Sequence, residues 1–435
     1  MIKQKEFAKR RQQLMEIAGD EAVIIVPAAA RKIRNRDAHY PYRQDSDFLY
    51  LSGFSEHDAM IVLLPQGNSG RSILFCRERD TEREMWDGSM AGVEGAIEQF
   101  GFDEAYPISE MKRRLPRMLR GRERIYYDLG KDSEFDQILI GWMNDFRART
   151  RKKFLAPDEI IALDHSLHDM RLFKSRTEIT AMRKSARIAA RAHQRAMQLC
   201  KPGMNEAEIH AELLHTFTRH QCEASYVPIV GGGVNACVLH YVANRDPLND
   251  GDLLLIDAGA EYDGYASDIT RTFPVNGKFS GPQKDLYQLV LEVQLKAIDE
   301  VRAGNPWAHV HETAVEVATS GMIDLGILKG SLDEALEEEY FKGFYVHNTG
   351  HWLGLDVHDV GEYEIDGHSR VLEPGMVLTV EPGIYIPPGA ITVDETWRGM
   401  GIRVEDNVVV TRKEADVLSS DICKTTDDIE ELMAS

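Results

Sequence analysis

Along the first third of the chain, short apolar runs alternate with stretches of helical spacing. "EAVIIVPA", "FLYLSGF", "MIVLLP", "SILFC" and "RIYYDL" are brief, rich in β-branched and aromatic residues, and predict strands. "EFAKRRQQLMEIA" and "EFDQILIGWMNDFRART" repeat apolar positions every three or four residues and predict helices. Strands and helices alternating in this way predict an α/β domain.

A polar connection without strong periodicity, "DHSLHDMRLFK" at 164–174, ends this pattern. Ser175 with Glu178 three positions later forms a capping-box signal that opens a helix, so the domains are expected at 1–173 and 174–435. This helix, from about Thr177, stops at Lys201-Pro202-Gly203, and Asn205 with Glu208 opens a second. A third, "PQKDLYQLVLEVQLKAIDEVRAG", aligns Leu286, Val290, Val293, Ala297 and Val301 on one face and is expected to end at Gly304. Between and after these helices come strand-like pieces: "YVPIVGGG", "DLLLIDAGA", "SDITRTFPV", "MVLTVEPGIYI" and "GIRVEDNVVVT". Long helices outside short, hairpin-linked strands predict an α+β domain. "EALEEEY" reads as a solvated helix face, and no repeat of fixed period is present.

Several of those strands hold a carboxylate among apolar residues. In "VLTVEPGIYI" it is Glu381, and burying it unpaired would cost many kcal/mol unless it were neutral, hydrogen-bonded, ion-paired or bound to metal. "LLLIDAGAEYDGYASDITRTF" has a turn-rich middle containing Asp263-Gly264 and should fold back as a hairpin; Asp257 and Asp268 lie nearly symmetrically about Tyr262 and Asp263, which would set them on facing strands, opposite or one register step apart. The loop "PPGAITVDETWRGM" can bring Glu405 of "GIRVEDNVVVT" near Glu381. Like charges so close raise one another's pKa unless a cation resolves the repulsion, and a divalent metal is the economical answer. "HNTGHWLGLDVHDVG" carries His347, His351 and His358, with Gly350 and Gly354 arguing against a helix; His351 or a neighbour would complete a mostly oxygen ligand set. Taken singly, each residue has an ordinary reading as a turn, a cap or a structural histidine. Gly231–Gly233 reads as a flexible turn, because no GK[ST] follows it. The weight lies in the recurrence of four carboxylates beside a histidine-rich loop.

Composition narrows the partners. Asp plus Glu number 71 against 51 Lys plus Arg, a net charge of -20 that disfavours nucleic acid and anionic membrane surfaces. Five scattered cysteines without a CxxC point to free thiols in a reducing compartment. The basic start lacks an apolar segment and Glu6 and Glu16 interrupt it, so a cytoplasmic protein is expected.

In this order, Asp257, Asp268, His351, Glu381 and Glu405 resemble the five ligands of the metal-dependent pita-bread peptidases. "HNTGHWLGLDVHD", "LEPGMVLTVEPGIYI" and "GIRVEDNVVVT" resemble the branch that cleaves next to proline, and "YPYRQDSDFLYLSGF" resembles the amino-terminal domain of the aminopeptidase P family. The resemblance covers nearly the whole chain, most strongly over 225–412. It implies a creatinase-like α/β domain followed by a catalytic domain whose curved antiparallel sheet is backed by helices. It also implies a dinuclear centre, usually manganese, with Asp257 on one ion, Asp268 and Glu405 bridging, and His351 and Glu381 on the other. The carboxylate-rich donor set agrees with a hard ion such as Mn²⁺. By the same carry-over, His240 and His358 would stabilise the oxyanion or position the peptide, Glu381 would relay a proton to the departing proline nitrogen, and Arg403 would orient a carboxylate. His347 and Tyr385 are expected at the substrate, and Asp37 and Trp86 match positions that reach a neighbouring subunit's cleft in family oligomers, which are commonly dimers or tetramers. His368 and Arg370 stand where some relatives have an arginine that contacts longer substrates.

The implied substrates are peptides beginning Xaa-Pro. Prolidase, restricted to Xaa-Pro dipeptides, is the nearest alternative, and a non-catalytic pita-bread binding protein is the alternative of another class. The amino-terminal segment favours aminopeptidase P over the first, and the complete ligand set argues against the second.

Overall fold

Four of the five early apolar runs lie in one six-stranded mixed sheet. Its strands run in the order Glu104–Pro107, Arg71–Cys76, Met60–Leu64, Ala22–Pro27, Arg124–Tyr126 and Glu159–Ile161. The three central strands pair antiparallel, and the remaining neighbours join them in parallel. One face carries Val23, Ile25, Val62, Ile73 and Phe75, packed with Leu115 and Leu139 from the helices Met111–Met118 and Ser133–Ala148. The structure, a computed structural model, describes residues 2–67, 69–148 and 156–435, so Arg149 and Thr150 of the helix predicted over 134–150 lie outside the described residues. The chain separates into the units Met1–Arg171 and Leu172–Ser435.

The fifth run departs from expectation. "FLYLSGF" is not a strand but most of the helix Ser46–Ser52. Asp45 accepts the Phe48 amide proton at its start, and Gly53, with φ 65, turns the chain out at its end. Phe48, Tyr50 and Leu51 are all buried, as are the polar Ser46, Asp47 and Ser52, so this short helix buries polar and apolar positions alike and has no periodicity to betray it. The connection at 164–174 is also more ordered than its polarity predicts. It holds the helix Asp164–Leu172, whose Leu167 and Met170 are buried and whose Arg171 pairs with the buried Asp47 at 2.7 Å.

In the second unit both predicted capping boxes open helices, Arg176–Leu199 and Glu206–Arg219. The third helix spans Gly281–Asp299, five residues short of Gly304, and the helix Trp307–Asp324 had no counterpart in the sequence reading. Every strand pairing here is antiparallel.

Two interrupted ladders set the carboxylates. In the first, Asp257 pairs with Thr270, the Ala258 amide bonds Ile269 O, and the register continues to Tyr262 opposite Tyr265 at the Asp263-Gly264 turn, where both residues have positive φ. That register places Asp268 opposite Gly259, two positions from the partner of Asp257, rather than opposite or one step away as expected; the two aspartates are diagonal neighbours on one face. A Cβ at Gly259 would lie 1.6 Å from Ser267 O, so only glycine lets the strands close there. In the second ladder, Val380 pairs with Asp406 and Gly383 with Arg403, so Glu381 and Glu405 face each other across the break between the two halves. The Glu405 amide bonds Thr270 O at 3.1 Å and joins the ladders.

Asp406, next in sequence to Glu405, anchors this junction. It accepts from Arg271 at 2.8 Å, Lys424 at 2.8 Å, Gln294 at 2.9 Å and Ser419 at 2.7 Å. Burial would raise its pKa, but Arg271 and Lys424 outweigh it and hold the carboxyl well below the usual range. Asp406→Ala strands the fully buried Arg271 guanidinium and is expected to lower unfolding stability by about 3–5 kcal/mol in urea denaturation of the metal-loaded protein.

Candidate active site

Where the ladders meet, a cavity of about 410 Å³ is walled by Asp257, Asp268, His351, Glu381 and Glu405 together with His240, His347, His358 and Arg403. The histidine segment runs beside the second ladder because the Thr379 amide bonds His351 O and the Glu381 amide bonds Thr349 O. A Cβ at Gly350 would come within 2.0 Å of Thr379 O, which explains glycine before His351.

The donor atoms converge. Asp268, His351 and Glu405 each offer an atom within 4.8 Å of the others. His351 gives Nδ1 to Trp352 O at 2.9 Å, which turns Nε2 toward Asp268 at 3.3 Å and Glu381 at 3.5 Å. Arg403 holds three partners: Asp257 Oδ2 at 2.6 Å, Thr270 Oγ1 at 3.0 Å and the Tyr385 hydroxyl at 2.8 Å. The Tyr226 hydroxyl lies between the two aspartates, bonded to Asp257 and, at 2.5 Å, to Asp268. Thr270 donates to Glu405 Oε2 at 2.7 Å, whereas Glu405 Oε1 is buried with no hydrogen-bond partner.

This arrangement is electrostatically incomplete by itself. Burial, only partly countered by Arg403 and reinforced by Asp268, pushes Asp257 up to about 6. Burial likewise raises Glu381 to about 7 against the pull of His351, and burial with the three neighbouring carboxylates raises Glu405 well above its ordinary value. Burial alone would keep His351 neutral, yet Asp268 and Glu381 raise it to about 9. An imidazole nitrogen aimed at two carboxylates, an orphaned buried carboxylate oxygen and three raised carboxyls are what a site for divalent cations leaves when only its ligands are considered. The residues fit a metal centre of oxygen-rich character.

Comparison with known proteins covers both parts of the chain. The model of metallopeptidase family M24 matches residues 180–412, and that of the aminopeptidase P N-terminal domain matches 7–126. The chain belongs to the M24 metallopeptidases. It is 44% identical to an Xaa-Pro aminopeptidase of Escherichia coli strain K12, over 100% of this chain and 98% of that protein. Among solved structures, Pseudomonas aeruginosa aminopeptidase PepP superposes with TM-score 0.98 at 51% identity, covering 100% of this chain and 98% of that one. Zn-substituted E. coli aminopeptidase P in complex with product gives TM-score 0.97 at 44% identity, with 100% and 98% covered.

In this M24 metallopeptidase the second unit supplies all of the cavity wall named above. Tyr385 is buried behind the wall, where its hydroxyl joins His347 Nε2, at 2.9 Å, to Arg403. Asp37 and Trp86 belong to the amino-terminal unit, are exposed, and do not line the cavity. Nor do His368, which is exposed in a two-residue strand, and Arg370, which is buried against the Phe173 ring. Sequence reasoning missed Tyr226 and Thr270. Thr270 was discoverable as the register partner of Asp257, but Tyr226 precedes its strand and carries no pattern of its own.

The pKa shifts fix the sign of a pH effect. Asp257 and Glu381 in the metal-free fold retain protons that the unfolded chain has released, so the stability they contribute is present below their ordinary carboxyl range and lost as pH rises through about 6 and about 7. The chelated protein is expected to fall progressively further below the metal-loaded protein in Tm from about pH 5 to about pH 8. Scanning calorimetry of both forms measures this, and an offset that does not change with pH is the contrary result.

Proposed function

We infer that this chain is a metal-dependent exopeptidase that hydrolyses the Xaa-Pro bond at the amino terminus of peptides. The observation that carries the reading is the convergence of four carboxylates and one imidazole on a single cavity, in a chain whose two parts match the two domains of the aminopeptidase P family. Two divalent ions, manganese first, would be held by Asp257, Asp268, His351, Glu381 and Glu405. When bound, they supply Lewis acidity for the scissile carbonyl and lower the pKa of the attacking water.

The remaining work falls to this chain's side chains. Glu381 accepts the proton released by the attacking water at its carboxylate and delivers it to the departing proline nitrogen. His347, lowered to about 4 by burial and by Arg403, and His358, lowered by burial and by His351, are neutral at pH 7. His358 offers one N–H to the developing oxyanion or to the peptide without adding charge, and His240 shares that wall; His347 gives its own N–H to Asn348 O at 2.8 Å and meets the Tyr385 hydroxyl through Nε2, so it lines the substrate's side of the cavity as a fixed neutral ring. Arg403 holds Asp257 in place and, through Tyr385, fixes the tilt of His347. Proline as second residue has no N–H to offer, so recognition rests on the fit of its ring to the cavity.

One observation favours longer peptides over dipeptides. Among the described residues lining the cavity, Arg403 is the only Lys or Arg, and its guanidinium is committed to Asp257, Thr270 and Tyr385. A dipeptide-restricted site needs a cation for the nearby carboxylate of the substrate, and this wall keeps none in reserve. For the whole protein we propose a cytoplasmic setting, without nucleic-acid or membrane partners. The net charge of -20, the free cysteines and the lack of any described helix able to cross a membrane support this. We also propose a homodimer or homotetramer, because Met85 and Trp86 are 86% and 89% exposed on the helix Thr81–Asp87, which buries none of its residues.

Chelated protein re-supplied with Mn²⁺ is expected to cleave Arg-Pro-Pro at its first bond and to leave Arg-Pro nearly untouched, with Zn²⁺ tested in parallel and Glu381→Ala inactive. Cleavage of the dipeptide alone makes the protein a prolidase, and metal-independent turnover removes the centre from the mechanism. Arg403→Lys is expected to lower kcat/KM or metal affinity by about 10- to 100-fold, measured by steady-state kinetics and metal titration.

A further inference from the structure

Glu206, outside the cavity wall, is a carboxylate with no exposed surface and, among the described residues, no cationic partner. Instead it accepts four hydrogen bonds. Oε1 receives the Gly232 amide at 2.8 Å and Asn235 Nδ2 at 3.0 Å; Oε2 receives the Tyr241 hydroxyl at 2.9 Å and the Asp246 amide at 2.9 Å. Both carboxylate oxygens are thus filled as acceptors, in the first turn of the helix Glu206–Arg219. Burial and Glu206 together push the Tyr241 hydroxyl up to about 12, which keeps it a donor.

All four donors come from one segment, 232–246, which leaves the strand Ile229–Gly232 and carries His240 into the cavity wall. Seven of its fifteen residues are exposed and only Gly232, Ala236 and Asn244 are buried. The His240 imidazole is exposed and makes no hydrogen bond among the described residues, so its position is set by the backbone on which it rides. Asn244 ties the segment back to the strand through Val230 N at 2.9 Å and Pro228 O at 2.8 Å. Glu206 clamps it at both ends and, at Tyr241, next to His240 itself.

We propose that Glu206 is a positioning residue for the peptidase reaction: its carboxylate folds the 232–246 segment over four hydrogen bonds and thereby holds His240 at the substrate. This rests on the peptidase reading of the cavity. A glutamine of the same shape would present an amide N–H to donors that need an acceptor, so the segment would lose at least one anchor.

The test is a double-mutant cycle on Mn²⁺-loaded full-length protein with Arg-Pro-Pro as substrate. His240→Ala is expected to lower kcat/KM about 10²-fold, in the range of a lost oxyanion donor, and Glu206→Gln to lower it comparably with bound metal unchanged. In the double variant the loss is expected to stay within about twofold of His240→Ala alone. Tyr241→Phe, which removes one anchor and leaves no buried charge unpaired, should lose less in the same direction, and lose nothing further in the His240→Ala background. Losses that multiply in the double variants, or full activity in Glu206→Gln, overturn the proposal, because a merely structural residue would act regardless of His240. If the wild-type protein does not cleave the peptide, the peptidase reading fails and hydrogen exchange decides the positioning. Faster exchange of the 232–246 amides in Glu206→Gln, with Leu253–Asp257 unchanged, sustains the clamp; unchanged exchange in the segment removes it.

Discussion

The structure is organised around a repulsion. Four carboxylates that water would keep apart are drawn into one cavity by two antiparallel ladders, and the fold tolerates them only because cationic and hydrogen-bonding groups are built in to oppose the cost. Arg403 answers Asp257, His351 answers Asp268 and Glu381, Tyr226 spans the two aspartates, and Thr270 covers one oxygen of Glu405. What these groups leave unanswered, the unpartnered Oε1 of Glu405 above all, is what a bound cation would offset. The helices behind the ladders stiffen the arrangement: Ser185 of Arg176–Leu199 bonds Ser267 beside Asp268, and Gln294 of Gly281–Asp299 bonds Asp406 beside Glu405.

Precision is carried by backbone rather than by the cavity side chains themselves. Gly259 lets the first ladder close next to Asp257, Gly350 lets the histidine segment approach the second, and the Glu405 amide welds one ladder to the other. The ion pair of Lys174 with Asp359, at 2.9 Å and buried on both sides, holds the residue after His358 in the same manner. Charged groups one position away from cavity residues thus do the holding, while Glu405 and His358 themselves face the cavity.

Much of this was legible in the chain. A carboxylate amid Val, Leu and Ile in a strand is a physical anomaly wherever it occurs, so Asp257, Glu381 and Glu405 announced themselves. The capping boxes at Ser175 and Asn205 were equally direct, because the local hydrogen bonds that define them depend on four consecutive residues. What stayed hidden depended on contacts distant in sequence. The helix Ser46–Ser52 is buried all round and reads like a core strand; the helix Asp164–Leu172 is polar until Leu167 and Met170 find their neighbours. Tyr226 and Glu206 acquire their roles only when residues some 30 to 40 positions later fold onto them, as the bonds to Asp257 and Asp246 show. The diagonal offset of Asp268 from Asp257 follows from strand register, which symmetry about a turn does not determine to within a residue.

The facing of Glu381 and Glu405 has a practical side. Their strands are pinned in one register on both flanks of the break, so the long connection over 387–399 need only return the chain and carries no duty in aligning the two glutamates. Ile391, 83% exposed near its crest, therefore marks an acceptor site where an affinity tag or a fluorescent reporter can be spliced into the polypeptide without rewriting the reaction centre.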